Sequence, residues 1–476
     1  MSNATFSVGD TIHAIPAETD TVAAIATAPG EGGVAIVRVS GPDAPRILSE
    51  AFRSGKRPID PDKIPDHLMR YGHVLDASGN AIDEAMAVLF RAPRSYTAEN
   101  VAEFHVHGGR LCAERTLARV LELGARIAEP GEFTRRAFEN GRIDLTQAEA
   151  VMDTIRADAE LAQRAAQAQL SGALRKKIED FQERLSMLLA KIDAAADYPD
   201  EDLDEETRVS CVNEFSALSD EIDALLSSAQ DARHIRDGVA TAIFGAPNAG
   251  KSSLLNLLVG SDRAIVTDIP GTTRDTLEER LVLNGLLFRL IDTAGLRDAA
   301  DAVERIGVDR ARAAIDAADL LIFVVDAADR TSFDRKMLQD LPESKPLIVL
   351  LNKSDLPAAV EKSEILSLAP QAVVLSIAAK TGEGAQDVQN ALLAAALSET
   401  RRGDGQLLLG NARHVQSLKL AKAAIDRGRT SAQDGLPVDL LGVDVQEAWQ
   451  ALGAITGQTC QEDVIDKIFE NFCVGK

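Results

Sequence analysis

A chain of 476 residues, 45% of them hydrophobic, has apolar mass for about three ordinary domains. Its 51 Lys and Arg against 74 Asp and Glu leave a formal charge of −23, which excludes a protein coated in nucleic acid through its own bulk field. No apolar run approaches the roughly 18 residues of a membrane-spanning helix. The start, MSNATFSVGD, lacks the form of a secretory signal. Four scattered cysteines, Cys112, Cys211, Cys460 and Cys473, have neither disulfide nor metal spacing, so a cytoplasmic location is expected.

In chain order, GGVAIVRVSG (Gly32–Gly41), AMAVLFRAP (Ala85–Pro93) and VAEFHVHGG (Val101–Gly109) read as strands, and CAERTLARVLELGA (Cys112–Ala125) as a helix. These predict an α+β domain over 20–140. His105 and His107 share a strand face, as a metal pair would, but no third ligand accompanies them. From Asp144 a long helical stretch is predicted. Leu145, Ala148, Val151, Met152 and Ile155 recur at helical spacing, and Leu170, Leu174, Ile178, Phe181, Leu185, Leu188 and Ile192 continue it. Pro199 and the acidic run Asp200–Glu206 read as a solvated connection, followed by a helix over Val209–Ala229. At Asp237-Gly238 the pattern changes. VATAIFGA, FRLIDTAG, LLIFVVDA, PLIVLLNKSD and AVVLSIAAK alternate with helices, the pattern of a doubly wound parallel sheet. Ser398–Gln406 reads as a linker, and two helical stretches follow. The expected architecture is multidomain: the α+β domain, then a helical domain over 141–236 and 399–476, interrupted by an α/β domain over 237–398. Cys112, Cys211, Cys460 and Trp449 are expected in cores.

Gly245–Ser252, GAPNAGKS, matches GxxxxGK[ST] and lies between the strand VATAIF and the helix SSLLNLLVG, the context that motif requires. The loop spanning Asn248, Ala249 and Gly250 would wrap phosphates with its N–H groups. Lys251 would reach the β and γ oxygens, Ser252 would ligate Mg²⁺, and Ser253 continues the site. Asp292-Thr293-Ala294-Gly295 matches DxxG, with Asp292 reaching Mg²⁺ through water. Asn352-Lys353-Ser354-Asp355 matches NKxD; Asp355 can accept both the N1–H and 2-amino donors of guanine, which adenine lacks. Ala378-Ala379-Lys380 stands where a guanine-supporting SAK loop is expected, with Ala378 in place of Ser. Order and spacing predict a Ras-like P-loop GTPase. In the intervening switch Thr273, or its neighbour Thr272, completes the Mg²⁺ shell. Leu296 stands where small GTPases carry the water-orienting Gln, which leaves Glu304 or Arg297 as candidates.

GAPNAGKSSLLN, DIPGTTRD, DTAGLR…VERIG and the terminal FCVGK together resemble the MnmE/TrmE family of tRNA-modifying GTPases. DTVAAIATAPGEGGVAIVRVSGP, SYTAENVAEFHVHGG and EPGEFTRRAFENGRIDLTQAEAV extend the likeness from about Asp20 to Lys476. The resemblance implies a formyl-tetrahydrofolate-binding N-terminal domain that forms a homodimer, and G domains that meet across the dimer with GTP and K⁺. Asn248, the carbonyls of Thr267 and Ile269, and Thr272 match the K⁺ site. Thr273 matches the Mg²⁺ threonine and Glu304 the catalytic acid. Arg38, Glu103, Arg142 and Lys476 match folate contacts, with Glu99 as the alternative carboxylate. Cys473 matches a reactive cysteine at that site. The prenylation outline of Cys473–Lys476 fails because Lys is not a usual final residue. The family works with an FAD-containing, MnmG-like partner. Together they add an aminomethyl or carboxymethylaminomethyl group to C5 of uridine 34 of certain tRNAs, drawing the carbon from 5-formyl- or 5,10-methylene-tetrahydrofolate. A regulatory GTPase switch in ribosome assembly is the alternative. Residues 1–19 precede the family's usual start and are expected to form a flexible extension. The basic stretch Arg413–Arg429 is read as a solvated helix face or a local tRNA contact.

Overall fold

The computed structural model describes residues 20–55, 60–197, 203–259, 278–292, 313–397 and 409–476. These form two compact units. One comprises the chain up to Met152 with Leu174–Ala190 and Val445–Lys476; the other comprises Asp153–Ala173 and Lys191–Asp444.

The first unit holds a seven-stranded sheet made of β1 (Val22–Ile25), β2 (Val34–Ser40), β3 (Phe52–Arg53), β4 (Arg70–Leu75), β5 (Ala81–Phe90), β6 (Val101–His107) and β7 (Arg126–Ile127). Their order is β3-β4-β5-β6-β2-β1-β7, with only β1 and β7 parallel. Alternation along β2 and β6 sends Val37, Val39, Phe104 and Val106 into a core with Ile47, Leu48 and Val120 of the helices Ala44–Ala51 and Arg110–Glu122. The opposite face carries Arg38, Glu103 and His105. Asp144 opens the next helix with a reciprocal cap: its Oδ1 accepts Gln147 N–H at 3.0 Å while Gln147 Oε1 accepts Asp144 N–H at 3.1 Å. The amphipathic helix Glu462–Glu470 docks through Ile465 and Phe469, and with the following Phe472 these pack on Ala137, Ile143 and Leu145.

The second unit holds β8 (Val239–Phe244), β9 (Glu278–Leu283), β10 (Leu286–Asp292), β11 (Leu320–Asp326), β12 (Leu347–Asn352) and β13 (Val373–Ile377) in the order β13-β12-β11-β8-β10-β9, with β9 antiparallel to β10 and the other pairs parallel. The chain leaves β8 toward β10 on one side and β11 on the other, so the loop after β8 lies at a switch point, where open α/β sheets bind ligands. The chain enters this sheet through the helix Ala229–Asp237 and the last helix against it is Ala385–Ala396. The buried His234 ties the two ends together, its Nδ1 bonding Ala396 O at 2.8 Å.

Several expectations need correction. The long helical stretch is three helices, Leu145–Arg156, Glu160–Leu170 and Ala173–Asp197. The first break places Ala159 in an extended conformation, and there the turn between β9 and β10 is gripped. Leu161 N–H donates to Gly285 O at 3.0 Å and Arg280 pairs with Asp158. Part of the acidic run is helical, not a connection: Leu203–Leu226 starts with Asp204, Glu205 and Glu206 in its first turn, where the helix dipole favours negative charge. Three helices, not two, follow Gly410, broken after Gln433 and Thr456. Trp449, Cys112 and Cys460 are half-buried rather than core; Cys211 is buried. In Arg413–Arg429, Lys422 pairs with Asp426 at 2.7 Å and with Asp223 of the helix Leu203–Leu226 at 3.2 Å, Arg427 with Asp444 of the helix Val438–Thr456, and Arg429 with Asp426, so these cations are paired with acids of their own and neighbouring helices. Among the described residues no helix is long and apolar enough to cross a membrane.

Candidate functional site

Two constellations of candidate residues come together, one in each unit. In the second unit the wholly buried β8 delivers Gly245 to the sheet's edge, and the helix Lys251–Val259 starts directly after Gly250. Lys251 Nζ folds over the loop and donates to Gly245 O and Ala246 O, each at 2.8 Å. Asn248 adopts a left-handed φ of 63°, uncommon for a residue with a side chain and a mark of a tightly specified turn. Ala249 is buried, whereas Ser252 and Ser253 are exposed at the helix start, where N–H groups and the dipole favour anions.

Asn352 holds these loops together. Its Nδ2 donates to Ala249 O at 2.7 Å, and its Oδ1 accepts Ala379 N–H at 3.0 Å. One buried amide thus fixes the phosphate loop against the Ala378–Lys380 loop. The contact explains Gly250: with φ 103°, a Cβ there would come within 2.0 Å of Asn352 Nδ2. Ala378 is buried and its N–H bonds Glu383 O at 3.1 Å; Lys380 and Asp355 are exposed beside it. Ser354 N–H donates to Ile377 O at 3.0 Å, so the NKSD loop lies directly over the end of β13. Asp292 ends β10 opposite Ile243 of β8, the strand that leads into the phosphate loop. Thr267, Ile269, Thr272, Thr273, Gly295 and Glu304 lie outside the described residues.

The second constellation joins the two ends of the chain in the first unit. Arg38 and Glu103 are cross-strand partners of β2 and β6, and Arg38 Nε reaches Glu103 Oε1 at 2.9 Å, with side chains 15% and 13% exposed. Glu103 also meets His105 Nε2 at 3.1 Å. Burial pushes the Glu103 carboxyl up, but the His105 hydrogen bond and the Arg38 charge outweigh it and hold it below the usual carboxylate value. The Arg38 guanidinium lies 5.3 Å from the Tyr96 ring centre and 5.6 Å from that of Phe133; Arg142 covers Tyr96 at 5.1 Å and donates to Tyr96 O at 2.9 Å.

The chain's end reaches this same spot. Arg38 Nη1 donates to Gly475 O at 3.5 Å, and Gly131 N–H to Cys473 O at 3.4 Å. Gly475 has φ 95° and passes so close to β1 that a Cβ would lie 2.5 Å from Ile25 O. Lys476 is half-buried. Its burial, then the Arg38 charge, lower its pKa from the ordinary lysine value, while Cys473 and Glu103 pull it back up. Cys473 is exposed. Arg38, Glu103, Cys473 and Lys476 therefore share one locus.

Glu99 does not. It accepts from Ser40 Oγ at 2.6 Å and from Arg136 Nη1 at 3.3 Å. Arg136, 5% exposed, also pairs with Asp20 and Glu132, each carboxylate shared with Arg126. Sequence reasoning missed this network, because residues scattered from 20 to 136 meet only in three dimensions. The alternation that puts Glu103 and Arg38 on like faces of adjacent strands was available in the sequence.

Comparison with known proteins agrees over nearly the full length. A family model described as the GTP-binding protein TrmE N-terminus matches residues 21–142, and one described as the MnmE helical domain matches residues 145–473. The tRNA modification GTPase MnmE of Lactiplantibacillus plantarum is 42% identical over 463 residues, covering 96% of this chain and 99% of that protein. The MnmE proteins of Shouchella clausii and Clostridioides difficile are 42% and 40% identical, covering 96% of this chain and 100% and 99% of their own lengths.

Proposed function

The chain belongs to the MnmE family of tRNA modification GTPases and is a GTP hydrolase that takes part in tRNA modification; on that premise we propose that it is a K⁺-dependent GTPase that uses a folate one-carbon unit to modify C5 of wobble uridine. It acts as a homodimer with an FAD-containing, MnmG-like partner. The observation that carries this reading is the seating of the Cys473–Lys476 tail beside Arg38 and Glu103.

The residues at that locus suit a folate. A pterin ring offers paired N–H donors to a carboxylate such as Glu103, its flat face suits the Tyr96 and Phe133 rings, and the glutamate tail needs cations such as Arg142 and Lys476. A bound tetrahydrofolate supplies a carbon at the formyl or methylene oxidation level. The chain's part is to orient it. Arg38 and His105 keep Glu103 ionised and therefore an acceptor. Cys473, an exposed thiol on the same tail, acts as nucleophile or proton carrier on this reading.

At the nucleotide site, Lys251 exchanges its loop carbonyls for phosphate oxygens, and Asp355 reads guanine. Ser252 and Thr273 would hold Mg²⁺. Asn248, the Thr267 and Ile269 carbonyls, and Thr272 would hold K⁺, whose charge stabilises the transition state. Glu304 orients the attacking water, the task Leu296 cannot perform.

Titration with 5-formyl-tetrahydrofolate tests the one-carbon reading: the protein is expected to bind it and Arg38→Ala to lose it, and failure to bind, or binding that survives the substitution, overturns the reading. Hydrolysis is expected to be much faster in K⁺ than in Na⁺, with Asn248→Ala removing the difference; equal wild-type rates in the two salts would sink the K⁺ claim.

A further inference from the structure

In the second unit, the helices Glu160–Leu170 and Ala229–Asp237 meet the hairpin β9–β10 and bound an open-sided cavity of about 440 Å³. That volume lies within the roughly 300–1,000 Å³ of small-ligand sites. Four arginines line it: Arg156, Arg236, Arg280 and Arg289. The acids among its described lining residues are Asp158 and Asp237, and the remaining lining is aliphatic. Guanidiniums therefore outnumber carboxylates two to one, in a chain whose formal charge is −23. A smaller neighbouring cavity of about 240 Å³ shares Arg156, Arg236 and Asp237 and adds Asp153, so the cationic excess sits on the hairpin side.

A second observation points the same way. Arg280 of β9 and Arg289 of β10 are in-register partners across the antiparallel hairpin. Side chains so opposed share one sheet face with Cβ atoms about 5 Å apart, and like charges placed there repel. Asp158 pairs with Arg280 and so answers one of the two guanidiniums. Arg236 is engaged by its neighbour Asp237 through two hydrogen bonds, at 2.7 and 3.0 Å. The hairpin is braced in this arrangement. Leu161 N–H holds its turn at Gly285 O, and Ala159 packs on Val282 and Leu287, each two residues along its strand from one of the facing arginines. The repulsion is thus built into a rigid wall, and an anion set between the two forks relieves it without first having to order them.

We propose that this cavity is a binding site for phosphate groups, distinct from the nucleotide site. Arg289 lies level with Ala240 of β8, well before the strand runs into Gly245. At strand rise, that separates it from the phosphate loop by about 16 Å. A phosphate has oxygens for forks arriving from two strands, whereas one carboxylate fills a single fork. With no aromatic ring in its described lining, the cavity holds the phosphates of a ligand and not a base or a pterin. The backbone of tRNA and a free polyphosphate offer the same oxygens, and either is a source. The site is independent of the K⁺ and folate readings, since none of the residues named for those lines it.

The test is a calorimetric titration of the full chain with inorganic triphosphate at fixed ionic strength. The protein is first saturated with GDP, without added Mg²⁺, so that the phosphate loop is filled and the triphosphate is not chelated. The wild type is expected to bind, and Arg289→Gln to weaken binding about tenfold, the scale of one charge-assisted contact. Asp237→Asn removes a competing carboxylate and should strengthen binding about threefold, a gain that damage to the fold would not produce. Failure of the GDP-loaded wild type to bind overturns the proposal. So does undiminished affinity in Arg289→Gln, or weaker binding in Asp237→Asn. Should Arg289→Gln fold poorly, the exposed Arg156→Gln probes the same cavity, and unchanged affinity there is equally fatal. Unmodified tRNA is then added to the triphosphate complex. Displacement of the triphosphate makes the tRNA backbone the source, and triphosphate that stays bound beside tRNA assigns the site to a free phosphorylated ligand; each sustains the phosphate site.

Discussion

Gly475→Ala isolates the seating of the C-terminal tail from everything else in the chain. Gly475 has φ 95°, outside the range an alanine adopts readily, and the new Cβ would lie 2.5 Å from Ile25 O and 2.9 Å from Ala26 Cα. The left-handed conformation alone costs about 1–2 kcal/mol. The contact is with backbone of β1, which cannot swing aside as a flexible side chain would. Taking about 2 kcal/mol as the combined lower figure, the unseated population rises about 30-fold. Carboxypeptidase B, which removes a terminal lysine, reads that population directly when unseating is fast relative to cleavage. Lys476 is expected to be released about 30-fold faster from Gly475→Ala. Val474→Ala, at a side chain 54% exposed, serves as the control with no change. The melting temperature and GTP hydrolysis should stay near wild type, because the new Cβ meets only backbone atoms of Ile25 and Ala26 and no side chain of the core or of the nucleotide loops. Equal release rates from wild type and Gly475→Ala would refute the docked tail, and with it the geometric basis for placing Cys473 beside Arg38.

Three further outcomes are expected. Gly250→Ala drives a Cβ into Asn352 Nδ2 and breaks the bridge between the two nucleotide loops, so GDP and GTP binding should fall by at least about tenfold in a titration while the fold persists. Glu103 has its pKa lowered below 4.5 in the fold, where the His105 bond and Arg38 charge overcome burial, so its contribution to stability is present above that value and lost as the pH falls through the depressed one. Denaturant titrations should therefore show Glu103→Gln costing about 1 kcal/mol or more near neutrality and less near pH 3, and a cost independent of pH would contradict the pairing. Cys473→Ser should abolish wobble-uridine modification in cells, by mass spectrometry of the tRNA, and leave GTP turnover unchanged; retained modification would remove the thiol from the chemistry.

Much of this molecule is legible from local pattern. Period-two alternation located β2, β5 and β6, and uninterrupted apolar runs located the core strands of the second sheet, because burial on one face or two leaves distinct marks on a sequence. The nucleotide loops were legible for another reason: their chemistry needs particular residues at short, rigid spacings, as in Gly245–Ser252 and Asn352–Asp355. The breaks at Ala157–Ala159 and after Thr456 were not legible, since helical spacing continues through the first. What opens the chain there is the partner it meets, the β9–β10 turn at Leu161 and Asp158.

The sequence alone therefore decides the classes of element, the position of the nucleotide loops and, through its matched motifs, the family. Tertiary structure decides which distant residues become neighbours. It alone draws Glu99 toward Arg136 and leaves Glu103 with Arg38, pairs Lys353 with Asp326, and folds Gly475 and Lys476 onto strands some 440 residues earlier in the chain. Such contacts depend on the closure of long loops and the packing of whole elements, and no short stretch of sequence contains that information.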